Sequence, residues 1–123
     1  MTYNLELTKE QLQAISHACE TCARIHMLQF DMIADHVGKG IAGDKFCEVR
    51  DLLEETAKKI KEVIPNQKRE ESANVLWDIY QVARHRLSWD RLKKAGKTKP
   101  DFSSVQYDEP FKTAQAPLVK ITQ

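Results

Sequence analysis

The sequence predicts a mainly α-helical fold with a small β element: three helices, short N- and C-terminal strands, and a long helix paired coiled-coil-like with a second copy in a dimer. Three observations carry this. Apolar residues recur at three- and four-residue spacing through three stretches, and glycine or proline clusters separate those stretches. Alternation at a period of two is confined to the first residues and to the tail. The first helical stretch is also longer than a 123-residue domain can cover at both ends.

Tyr3, Leu5 and Leu7 alternate with polar residues, which predicts a strand over residues 2–7. Thr8 opens a capping signature, TKEQ, with Gln11 at the third helical position. The helix that follows is predicted over 9–37, roughly eight turns. In it Leu12, Ile15, Cys19, Cys22, His26, Phe30, Ile33 and Val37 are spaced 3, 4, 3, 4, 4, 3, 4. That is close to a heptad seam and asks for a second copy to pack against. GKGIAG, residues 38–43, then breaks the helix. It lacks the full GxxxxGK[ST] order and no strand precedes it, so it reads as a turn and not as a phosphate loop.

Asp44 is placed to cap a second helix over 44–64, with Phe46, Val49, Leu53, Ala57 and Ile60 on one face. Pro65 and Asn66 end it and start a third, predicted over 67–94. After Ala95 and Gly96 the helical period is lost. Residues 95–123 read as an extended tail with one or two short strands, anchored by aromatics and available to pair with the N-terminal strand. The whole of 1–123 is predicted to be one domain.

With 41% hydrophobic and 30% charged residues, the chain has the composition of a globular protein and not of a disordered one. No apolar run approaches the ~18 residues of a membrane span. The N-terminus has no basic segment followed by an apolar one, so the chain is expected to stay in the cytosol where it is made. A formal net charge of +1 recruits no polyanion globally. Charge is uneven, however: Arg84, Arg86, Arg91, Lys93, Lys94, Lys97 and Lys99 are opposed locally by Asp90 alone. An anionic partner would meet the chain there.

Cys19, Cys22 and His26 have the spacing C-x2-C-x3-H, and zinc accepts those ligand types. Structural zinc sites usually draw on loops and separate elements, and these residues occupy seam positions, so packing is the better account and no metal is expected. Enzymatic readings fare no better. Glu54 and Glu55 lack acids at the spacings that would complete a magnesium site, no nucleophile elbow is present, and His85 alone is weak evidence of acid–base chemistry. No enzyme and no cofactor are expected.

The third helix is different. Leu76, Tyr80, Ala83 and Leu87 form one apolar stripe, and Val75, Ile79, Val82 and Trp89 another. Between them run Asn74, Asp78, Gln81, His85 and Ser88, with Trp77 and Arg84 alongside. Trp77 and Tyr80 can stack on a base. Arg84, with Arg86 or Arg91, can grip phosphate through a bidentate fork. Gln81, His85 and Asp78 can read ring edges and ribose hydroxyls. Asp90, Tyr107 and Asp108 complete the candidate ligand-binding set. The competing account is a hydrogen-bond network between helices, with Trp77 as packing.

Three pieces of the chain, YNLELTKEQL, IYQVARHRL with the following Trp89, and YDEP…APLVKI, resemble the first family of Thoeris anti-defence proteins. The similarity spans most of the chain. It implies a phage protein acting in the cytoplasm of the infected bacterium, not an enzyme but a sponge. Such a protein sequesters cyclic ADP-ribose isomers, the alarm signals of bacterial TIR-domain enzymes, and some members also trap cyclic di- or trinucleotides. It further implies an antiparallel helical homodimer with pockets between subunits, in some members assembled into a hexamer, with no DNA or membrane partner. Two other classes stay open on the residues alone: a helical nucleic-acid-binding or regulatory accessory protein, and a metal-dependent nucleotide hydrolase.

Overall fold

A computed structural model describes residues 1–38, 40, 43–68 and 70–122. Helix α1 (Lys9–His26) starts where its capping residues place it. The Thr8 hydroxyl accepts the Gln11 amide at 3.2 Å, and the Gln11 side chain accepts the Thr8 amide at 2.9 Å. This reciprocal box satisfies two otherwise unpaired donors and contributes about 1 kcal/mol.

The helix predicted over 9–37 is two helices. After α1, α2 (Asp31–Val37) resumes in a new direction. At the break Gln29 N–H donates to the Arg24 carbonyl at 2.9 Å and Leu28 N–H to that of Ile25 at 3.0 Å, the bond pair of a Schellman cap. That cap puts Leu28 in the left-handed region, with φ of 57°. A side chain there costs about 1–2 kcal/mol. Leu28 is buried, and burying a leucine returns about 1.5–3 kcal/mol, so the cap is affordable without a glycine. The apolar seam therefore does not run unbroken. Cys19 is buried, Cys22 is exposed, and Val37 is exposed beyond the break.

Helix α3 (Asp44–Val63) follows within one residue of expectation. Its N-cap is Gly43, not Asp44, which sits in the first turn where its charge opposes the helix dipole. Lys39, Ile41 and Ala42 of the GKGIAG turn lie outside the described residues. Helix α4 (Glu71–Lys94) begins four residues after the predicted 67, because Gln67 is used differently. Its side-chain amide donates to the His26 carbonyl at 3.0 Å, closing the end of α1. At the far end of α4 a second Schellman cap forms, with Lys97 N–H on the Leu92 carbonyl at 3.1 Å and Gly96 N–H on that of Lys93 at 2.9 Å. Gly96 takes the left-handed position at φ 74°.

The helices form two antiparallel pairs. Helix α1 lies along α4, with Arg24 near the end of α1 over Trp77 near the start of α4. Helix α3 packs on α2 and, among the described residues, on no other helix. A Cβ at Gly38 would fall 2.6 Å from the Ala34 carbonyl and 2.7 Å from the Phe46 ring, so the absence of a side chain there lets Phe46 close the α2–α3 pair. The pairs meet through the mutually tilted rings of His17 and His36, 4.5 Å apart, and a 3.2 Å hydrogen bond between Thr21 and His36.

The structure is mainly helical, and among the described residues there is no strand. The strands expected at 2–7 and in the tail are extended chain without a ladder. Tyr3 and Leu5 are 84% and 76% exposed. A strand needs a neighbouring backbone, and the tail's amides at Thr113, Ala114 and Gln115 are taken by side chains of α4 instead. The tail holds one 3-10 turn, Val105–Tyr107.

The buried hydrophobic set is dominated by small residues: Ala23, Ala34, Ala57, Ala73, Ala83 and Ala114, with Leu28, Tyr80, Leu87 and Leu92 as the larger members. Accessible surface is 9408 Å², whereas a compact monomer of 14.2 kDa exposes about 6,800 Å².

The left-handed Leu28 has a direct test. Leu28→Gly and Leu28→Ala both remove the buried side chain, so their difference in chemical denaturation reads the backbone. The glycine variant is expected to be the more stable by about 1 kcal/mol. A continuous helix through residue 28 would reverse the order by a similar amount.

Candidate functional site

Helix α4 positions nearly every residue that sequence chemistry singles out, and its polar stripe has an occupant within the chain. The tail turns back after Gly96 and runs antiparallel along α4. Trp89 Nε1 donates to the Tyr107 carbonyl at 3.2 Å, and the two rings meet edge to face at 5.5 Å. About two turns further back, the Gln81 amide donates to the Phe111 carbonyl at 2.8 Å. Gln115 N–H reaches Glu71 at the start of α4.

Between these lies the strongest contact. Asp78 is 4% exposed, and its carboxylate accepts Thr113 N–H at 2.9 Å, the Thr113 hydroxyl at 2.6 Å and Ala114 N–H at 2.8 Å. Hydrogen bonds to a charged acceptor contribute about 1.5–3 kcal/mol each, and a buried carboxylate demands them. Asp78 and Gln81 thus hold a strap, residues 107–115.

A second set lies where α4 meets α1. The Arg24 guanidinium sits 5.4 Å from the Trp77 ring centre, and Trp77 is 5.2 Å from Tyr80. The Arg84 guanidinium sits 4.9 Å from the Tyr80 ring and donates to its hydroxyl at 3.1 Å. Two neighbouring rings are flanked by a cation at each end of one row: Arg24, Trp77, Tyr80, Arg84. Glu20 at 3.1 Å and Gln29 at 2.9 Å hold Arg24 in place. Arg24 escaped the sequence reading because it lies off the apolar seam of α1, and only the antiparallel register brings it to Trp77.

Beside this row, three polar atoms of α4 are shielded from solvent and have no hydrogen-bond partner among the described residues: Arg84 Nε, His85 Nδ1 and Ser88 Oγ. Each such group costs about 1–3 kcal/mol. His85 also meets the edge of Trp89, with centroids 6.3 Å apart.

The remaining candidates are dispersed. Asp90 pairs with Arg86 at 3.0 Å, Arg91 is exposed, and Asp108 is exposed beyond the 3-10 turn. Tyr107 contributes its ring and carbonyl to the strap. The structure therefore brings Trp77, Tyr80, Arg84 and His85 to one part of α4, and leaves Asp90, Arg91 and Asp108 outside that group. Three open hollows of about 280, 340 and 310 Å³ lie along α2, α3 and the connectors, and none of them is lined by these residues.

Among the described residues, no three His, Cys, Asp or Glu side chains stand close enough to share a metal ion. Likewise, no helix among them is long and apolar enough to cross a membrane. Comparison with protein-family models, curated proteins and solved structures finds no match for this chain.

Two predictions follow from the geometry of this region. Asp78→Ala leaves Thr113 and Ala114 amides without their acceptor, and is expected to cost about 3 kcal/mol or more in thermal or chemical denaturation. Amide exchange at residues 113 and 114 should rise toward that of free chain. Unchanged protection there would mean that the strap is held by something else. The second concerns the thiols. Burial, and secondarily the neighbouring Cys22, raises the Cys19 pKa above its usual 9.0. At any pH below that value Cys19 carries less thiolate than a free cysteine. Iodoacetamide should therefore label exposed Cys22 and Cys47 first, and Cys19 only as the protein unfolds.

Proposed function

We propose that the protein binds a cyclic ADP-ribose-type nucleotide and sequesters it unchanged, blocking Thoeris immunity in the cytoplasm of a phage-infected bacterium. The observation that carries this reading is the row of two neighbouring rings, Trp77 and Tyr80, flanked by Arg24 and Arg84. An aromatic ring supplies the stacking surface that every nucleobase accepts, and a guanidinium supplies the planar fork that matches phosphate. The sequence resemblance to the first family of Thoeris anti-defence proteins points to the same ligand class. Cyclic di- and trinucleotides present the same two chemistries and are candidate second ligands.

A homodimer completes the site in this reading. The chain exposes roughly 40% more surface than a compact monomer of its mass, an excess in the range that obligate dimers bury. Leu52, Val63 and Ile64 on and after α3 are exposed apolar residues available for that contact. The extended, alternating Tyr3–Leu7 segment would gain in the dimer the strand partner that it lacks in one chain. A hexamer would extend the same principle.

The test is calorimetric titration with a cyclic ADP-ribose isomer, with thermal melts alongside. Arg84→Ala is expected to weaken binding by roughly 1.5–3 kcal/mol, the loss of a charge-assisted phosphate contact. Trp77→Ala should lose about 1–3 kcal/mol of stacking, and Tyr80→Ala, which removes a buried ring, should lower the melting temperature as well as weaken binding. Lys58→Ala, in the 280 Å³ hollow on the α2–α3 side, should bind as wild type. Heat denaturation of the complex should return the nucleotide chemically intact. A hydrolysed product would instead favour an enzyme. Wild-type affinity in all three α4 variants would move the site elsewhere.

A further inference from the structure

Ser88 stands one turn beyond both Arg84 (i+4) and His85 (i+3) on α4, so its side chain neighbours each of theirs on the helix surface. Ser88 is 2% exposed, and its hydroxyl is unpaired among the described residues, as are Arg84 Nε and His85 Nδ1. Packing alone does not account for that choice of residues. An alanine at 88 would remove the orphaned hydroxyl and favour the helix. Folded proteins seldom leave several such groups together unless something satisfies them.

The chemistry of the three atoms narrows what that is. Arg84 Nε–H can only donate, the Ser88 hydroxyl can donate, and His85 Nδ1 donates whenever it carries a proton. One acceptor atom with several lone pairs and negative charge satisfies all three, which describes a phosphoryl oxygen. The opposite end of the Arg84 guanidinium is already held by the Tyr80 hydroxyl at 3.1 Å, so the Nε edge is aimed and not free to wander.

The His85 ring lies against Trp89, and Trp89 holds the Tyr107 end of the strap by one hydrogen bond and an edge-to-face contact. The other end is pinned far more firmly, by three donors on Asp78. The Tyr107 end is therefore the one that can lift while the strap stays attached.

We propose that Arg84 Nε, His85 and Ser88 form a closed subsite for a phosphoryl oxygen, and that it admits its ligand when the strap lifts at Tyr107. The ligand's identity rests on the nucleotide-sequestering function proposed above, but the subsite's chemistry does not. The phosphoryl group can come from a cyclic nucleotide or from a free diphosphate, and the two sources are separated by the probes used.

The experiment titrates wild type, Ser88→Ala, His85→Gln and Tyr107→Ala with cyclic ADP-ribose and with inorganic pyrophosphate, and melts each variant without ligand. Ser88→Ala is expected to melt no lower than wild type yet bind about tenfold more weakly, the loss of one hydrogen bond to a charged group. His85→Gln should show a loss of the same order. Tyr107→Ala should speed association severalfold in stopped flow, because it loosens the cover. Wild-type affinity of Ser88→Ala and His85→Gln for a probe that wild type binds overturns the subsite, and an unchanged association rate in Tyr107→Ala overturns the gate. If wild type binds pyrophosphate and Ser88→Ala weakens it, while cyclic ADP-ribose does not bind, the subsite stands and nucleotide sequestration fails. If cyclic ADP-ribose binds wild type and Ser88→Ala alike, the reverse holds. Binding of neither probe to wild type overturns both.

Discussion

The carboxylate of Asp78 organises the C-terminal third of the molecule. A buried charge in the middle of a helix is tolerable only with donors around it, and Asp78 obtains them from Thr113 and Ala114. That demand brings the tail back along α4 and sets its register. Once Ala114 is placed, Phe111 falls opposite Gln81 and Tyr107 opposite Trp89. The strap then consumes part of the polar stripe of α4 and leaves the rest, around Arg84, His85 and Ser88, beside it. One ion thus decides which side chains of α4 serve the fold and which remain for other chemistry.

The helical layers are held more lightly. Alanines at 23, 73 and 83 are fully buried, and 34 likewise. Small side chains let helix backbones approach closely, but each removes little apolar area from water, and stabilisation follows that area. The Arg24–Trp77 and Arg84–Tyr80 contacts add about 0.5–2 kcal/mol each, far less than a layer of leucines would. A chain with this thin a core and this much exposed surface gains most from burying α3 against another surface. That argument is independent of any ligand, and it is why the proposed dimer and the proposed site support one another without resting on the same residues.

The helical content was legible because it is written in local chemistry. Thr8 and Gln11 mark the start of α1, Gly96 marks the end of α4, and the spacing of Phe46, Val49, Leu53, Ala57 and Ile60 marks α3. What the sequence hid was settled by tertiary balance. Leu28 is no natural helix terminator, and it ends α1 because its own burial offsets its backbone strain. Tyr3, Leu5 and Leu7 carry a strand's alternation, yet among the described residues no backbone pairs with them in a ladder. At the candidate site the residue types of α4 were readable, but their division was not. Asp78 and His85 look alike as members of one polar stripe. Only the return of the tail, thirty-odd residues later, assigns one to the strap and leaves the other unpaired. Arg24 was invisible for the same reason, since its partner Trp77 lies in another helix.

A sequestering protein faces a different physical problem from an enzyme. It gains nothing from binding a transition state better than a ground state, and its effectiveness depends on how long it keeps the ligand. Residence time is set mainly by the dissociation rate. A stacking row open to solvent would confer affinity with quick exchange. A phosphoryl subsite closed behind a strap would lengthen residence, because in the proposed gate a ligand could leave only once Tyr107 parts from Trp89. The unequal attachment of the strap suits that role. Three charge-assisted bonds at Asp78 keep it from being lost, while one hydrogen bond and one ring contact at Trp89 let the other end open at small cost. A strap held equally along its length would either never open or never close. The asymmetry, and not the strength of any single contact, is what would convert a binding surface into a trap.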